Sequence, residues 1–151
     1  MKRNLAINAA LSVSLLCLVS CGKKVSIPGG SVEQSGDQIR INNGGGTFVA
    51  GGDVKLPDEF PDNIPQPSKV LSVAMVTPQG MTVAFKCKGT QSDEYEKLKA
   101  AFQTQGWEET MAMQSANGSV IGVKKGENRH IQDSVGKDNN GTLINLIITQ
   151  R

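Results

Sequence analysis

The residues able to do chemistry are few and scattered. His130 is the only histidine among 151 residues, so neither an H-E-x-x-H helix nor a zinc site with two histidines can be assembled. It follows a turn, between Arg129 and Ile131, where a solvent-facing side chain on a short strand is expected. No serine lies in a G-x-S-x-G elbow. Adjacent carboxylates occur at Asp58-Glu59, Asp93-Glu94 and Glu108-Glu109. Neighbours on a strand point to opposite faces, so Glu108 and Glu109 cannot share a substrate. Asp93 and Glu94 suit the positive end of a helix, and a glycosidase pair is not expected. Gly44-Gly45-Gly46 is followed by neither Lys-Ser nor Lys-Thr, and no helix opens there, which excludes a P-loop. Sulfur is the remaining chemistry: Cys17, Cys21 and Cys87, with Met111 and Met113 spaced to share one face of a strand. The expectation is a protein that is no enzyme, with no catalytic residue, no cofactor and no bound metal.

Cys21 has the most distinctive setting. Lys2 and Arg3 open the chain, a mostly apolar run extends from Leu5 to Val19, and the small residue Ser20 precedes the cysteine. The run of about 15 residues is shorter than the ~20 needed to cross a bilayer and matches a signal-peptide core. Leu18-Val19-Ser20-Cys21 resembles the lipobox of bacterial lipoproteins. That resemblance implies cleavage between Ser20 and Cys21, a diacylglyceryl group on the Cys21 sulfur and an acylated new terminus, hence a membrane partner through a lipid anchor. Gly22 stands where an aspartate would retain an enterobacterial lipoprotein at the inner membrane. The resemblance therefore implies the cell envelope, at the inner leaflet of the outer membrane, facing the periplasm.

Composition agrees with an exported chain. The formal charge of +2 belongs to Lys2 and Arg3; without them 14 basic residues face 14 acidic ones. No net positive field remains to attract nucleic acid. With Cys17 removed and Cys21 lipidated, Cys87 is the last cysteine, so no intramolecular disulfide can form. Its alternation with Phe85 sends it inward as a small buried hydrophobe.

The elements that would position these residues divide the chain in three. Residues 1–20 read as a signal peptide. Residues 21–55 are glycine-rich and polar and read as a tether, with a possible hairpin where Gln38-Ile39-Arg40-Ile41 and Thr47-Phe48-Val49 flank Asn43-Gly44. Residues 56–151 read as a proline strap plus a domain. Four prolines between Leu56 and Pro67 forbid helix and interior strand, leaving Leu56, Phe60 and Ile64 as the strap's apolar contacts. Beyond it, Leu71, Val73 and Met75 share one parity, as do Met81, Val83, Phe85 and Cys87. Ser92 reads as a helix cap, Tyr95, Leu98, Ala101 and Phe102 as an apolar helical face, and Gly106 as the stop. Trp107, Met111 and Met113 then share a parity facing the helix. Ile121 and Val123 follow, with Ile131 and Val135 on a weaker strand. Ile144, Leu146 and Ile148 point inward, with Leu143 and Ile147 on the other face, as in a central strand. The expected fold is a two-layer α+β domain, strand-strand-helix-strand-strand-strand-strand, its antiparallel sheet covered on one face by one amphipathic helix.

Two resemblances bear on what such a domain does. The strap, the two strands, the capped helix ending Gly106-Trp107 and the strand meander resemble small envelope lipoproteins of unassigned function, which implies their fold and location and no active site. The leading expectation is a lipid-anchored, non-enzymatic binding or scaffolding module facing the periplasm, with an envelope protein as its partner. The alternative is periplasmic Cu(I) or Ag(I) binding through Met111, Met113 and His130, because soft thioethers select these ions. Together with Trp107 the set is similar in composition to periplasmic copper and silver chaperones. Against it, Met111 and Met113 read as core fillers opposite the helix.

Overall fold

A computed structural model describes residues 22–52, 54–67, 70–127, 129–139 and 141–150. Strands β1 (Lys23–Ile27), β2 (Gly30–Ser35), β3 (Gln38–Asn43) and β4 (Gly46–Ala50) precede the strap. Strands β5 (Val70–Thr77) and β6 (Gly80–Cys87) lead to helix α1 (Gln91–Thr104). Strands β7 (Glu108–Gln114), β8 (Gly118–Lys125), β9 (Arg129–Asp138) and β10 (Gly141–Gln150) complete the chain. All ten strands lie in one sheet, in the order β1-β2-β3-β4-β5-β6-β10-β9-β8-β7, and every neighbouring pair is antiparallel.

This corrects the expected two-layer α+β domain. Among the described residues the fold is a β-rich, ten-stranded antiparallel sheet with a single helix packed against it. The four added strands come from residues 22–50, expected as a tether. Their glycines mark turns. Gly29 and Gly36 hold positive φ, 81° and 56°, in two-residue connections between short strands, where residues with side chains would be strained. The possible hairpin is real, as β3 and β4, and it does not stand alone: Phe48 pairs with Met75 and Val49 with Ala74, joining β4 to β5.

Helix α1 is capped by Thr90, whose Oγ1 accepts from the Asp93 amide, so the helix starts before Ser92, the cap expected from sequence. The Ser92 hydroxyl instead accepts from the Gln114 side chain. At the other end the Gly106 amide donates to Gln103 and the Trp107 amide to Phe102. With Gly106 at φ 74° this is a Schellman closure. Tyr95, Leu98 and Phe102 are buried, and the helix packs over β7 to β10. The strap fills the rest of this layer. Phe60 and Ile64 are buried, and the Trp107 indole donates to the Asn63 carbonyl at 2.9 Å.

Two irregularities decide which side chains the layer covers. Between Leu71 and Val73 the register of β5 slips. Leu71 is still buried on the covered face, but Ala74 and Val76 now share that face, opposite Val83 and Met81, while Val73 and Met75 turn away. A second slip between Glu109 and Met111 leaves Thr110 as the extra residue. Each bulge shifts the parity by one, which sends every later side chain on its strand to the other face.

Candidate functional site

Residues 1–21, with the proposed cleavage between Ser20 and Cys21 and the lipid site itself, lie outside the described residues. What is described is the geometry the anchor would serve. Only Gly22 separates Cys21 from the first residue of β1, and β1 is an edge strand exposed along its whole length. An acyl group on Cys21 would hold the sheet edge directly at a bilayer surface, with no spacer between.

The second candidate set is partly brought together. The bulge at Thr110 overturns the expectation that Met111 and Met113 fill the core: they are 40% and 62% exposed, on the face away from the helix. His130 is half-buried on that same face, paired across the ladder with Lys124 and Thr149. Met111 and His130 line one depression of about 230 Å³ with Gly122, Gln132 and Ile147. Gly122 forms its floor, since a Cβ there would meet Thr110 Oγ1 at 2.9 Å and Met111 Cβ at 3.4 Å. Trp107 is not part of the set. It is buried on the opposite face, edge-on to Phe102 at 5.9 Å, with the Lys125 ammonium 5.6 Å from its ring centroid.

The carboxylate pairs are dispersed. Glu108 reaches Lys124 at 3.2 Å on the open face, and Glu109 reaches Lys99 of the helix at 3.3 Å on the covered face. The hydrogen bond and charge of Glu109 hold the Lys99 ammonium above its usual range. Asp93 and Glu94 occupy the first turn of α1. Asp58 and Glu59 border a cleft of about 300 Å³ between the strap and strands β3 to β5, which Arg40 and Lys55 also line. Cys87 is buried. Among the described residues no three of His, Cys, Asp and Glu cluster as a metal site, and no helix is long and apolar enough to cross a membrane.

One functional candidate is not among the residues expected from sequence. Asp133 is fully buried on the helix-covered face of β9, between Ile131 and Val135 on its own strand and opposite Ile121 and Leu146 on its neighbours. Neither carboxylate oxygen has a hydrogen-bond partner among the described residues. Burial alone pushes its pKa up to about 7. The signal is present in sequence, because Ile131 and Val135 at inward parity force Asp133 inward as well.

Compared with known protein families, curated proteins and solved structures, the chain finds no match.

Proposed function

We propose that this chain is a lipid-anchored protein of the bacterial cell envelope, attached through Cys21, and that its sheet is a non-enzymatic binding or scaffolding module facing the periplasm. The observation that carries the reading is Cys21 itself: basic start, apolar run, small residue, cysteine, in that order. Two or more acyl chains would hold the chain stably where one gives only marginal attachment. The dispersal of the carboxylates and the absence of an acid beside His130 in its depression favour binding over catalysis. With Gly22 after the anchor, the outer membrane is the proposed destination. Labelled palmitate should enter the wild type and not Cys21→Ser, and the variant should accumulate at precursor length. A wild type that never takes up label ends this reading.

The exposed methionines favour a second reading, Cu(I) or Ag(I) binding by Met111, Met113 and His130, since thioethers open to solvent suit a soft ion and Met111 shares a depression with His130, with Met113 outside it. Competition against a Cu(I) chelator decides between the two. The binding-module reading expects no ion retained. The metal reading expects one ion per chain, lost in Met111→Ala and in His130→Ala.

A further inference from the structure

We propose that the open face of the sheet is the contact between two copies of this chain, laid face to face. The strand register draws one line across all ten strands on that face. Val25 pairs with Val32, Val32 with Ile41, Ile41 with Phe48, and Phe48 with Met75. The line continues through Thr82, Ile147, Gln132 and Gly122 to Met111 at the far edge. No member is charged. Nine steps of ~4.8 Å make it about 43 Å long. Two residues along, a second line passes Ile39, Ala50, Val73 and Ala84 and ends at Val120 and Met113.

The monomer gives no reason for this patterning at β1 to β3. No residue of those strands is buried, and their helix-side face is polar. There Lys24 pairs with Glu33 at 2.6 Å, and Arg40 and Asn42 follow on β3. A sheet face that alternates so cleanly against a polar reverse has its apolar side matched to a cover. The uncovered side chains include Val25 at 56%, Ile39 at 43%, Ile147 at 42% and Met113 at 62% exposure. All eight of the large apolar side chains exposed among the described residues lie on this face, a concentration that marks an interaction surface rather than the scattered exposure of an ordinary monomer.

The shape selects the occupant. The face holds shallow depressions of about 110 to 240 Å³ beside Met75, Ile147 and Met111 rather than a groove for a helix. A pleated surface whose central line is uncharged, with Lys23, Lys86, Glu108 and Lys124 off that line, complements another of its kind at ~10 Å. A second copy brings no like charge onto the first line. A two-fold axis running along the first line, across the strands, sets each of its members against its own copy, Met75 and Thr82 among them.

The chain from Gly22 onward carries the whole sheet, the helix and the core, and lacks the anchor, so the test is independent of lipidation. Sedimentation with a Cu(I) chelator present should show a dimer across the micromolar range. Met75→Lys with Ile147→Lys should weaken association at least a hundredfold while keeping a cooperative melt and the same circular dichroism. In the full chain in cells, Thr82→Cys should be joined to its copy by a short-armed bismaleimide, which spans the ~10 Å between packed sheets that a disulfide cannot, and Glu96→Cys on the helix should not. A wild type that stays monomeric, a dimer indifferent to the two lysines, a dimer that needs added Cu(I), or a monomer that floats with phosphatidylethanolamine–phosphatidylglycerol vesicles each overturns the proposal.

Discussion

Asp133→Asn is expected to melt about 10 °C above the wild type at pH 8 and together with it near pH 4. The carboxyl titrates at about 7 in the folded chain, against 3.8 for an ordinary aspartate. Between those values the folded state holds a proton that the unfolded state has lost. Its contribution is therefore fully present below pH ~4, falls as pH rises, and is gone above pH ~7. A separation of roughly three pH units is worth about 4 kcal/mol. The cause is desolvation with no compensating contact: the sheet supplies Ile121, Ile131, Val135 and Leu146, and the buried helix face carries Tyr95 and Glu94, the latter engaged with Lys97 at 3.1 Å. Asparagine keeps the shape and removes the charge, so it flattens the pH profile. Thermal melts of both proteins across that range are the measurement. If the variant tracks the wild type at every pH, the carboxylate is not buried unpaired.

What is legible in the sequence is whatever depends on local period. Tyr95, Leu98 and Phe102 announce the helix face, and Gly106 with Trp107 announces its end. Phe85 and Cys87 turn inward as their alternation requires. Ile144, Leu146 and Ile148 mark a central strand, which β10 is, between β6 and β9. Legibility fails where one residue resets the period. Nothing local distinguishes Ser72 or Thr110 from its neighbours, yet the bulges there move Val73, Met75, Met111 and Met113 to the other face. Parity therefore keeps Met111 and Met113 together as a pair while placing them on the wrong side of the sheet. The tether expectation fails for a different reason. Glycine density is the same in a flexible spacer and in a meander of five- and six-residue strands, and only the spacing of turns against Val25, Val32, Ile39 and Phe48 separates them. Asp133 is hidden in plain view: Ile131 and Val135 signal the strand, and their parity carries the residue between them into the core.

Removing residues 22–50 should lower the stability of the remaining domain by about 3 to 5 kcal/mol and make it prone to aggregate, whereas removing only 22–35 should leave the thermal midpoint nearly unchanged at dilutions where the chain is monomeric. The contrast follows from where burial begins. Strands β1 to β3 contain no buried residue, so their loss exposes little that the monomer had covered. Strand β4 is different. Val49 is in the core at 8% exposure, Thr47 to Ala50 supply the ladder to β5, and the Gly51 amide donates to Ser72. Without β4, β5 becomes an edge strand with Leu71, Ala74 and Val76 on one face and Val73 and Met75 on the other, an apolar ribbon with unpaired backbone groups open to another chain. Burial of one valine contributes roughly 1.5 to 3 kcal/mol, and the lost ladder bonds supply the rest at about 1 kcal/mol each. Melting the two truncations beside the chain from Gly22 onward tests both statements. A midpoint unmoved by loss of all four strands would return residues 22–55 to the role of a tether.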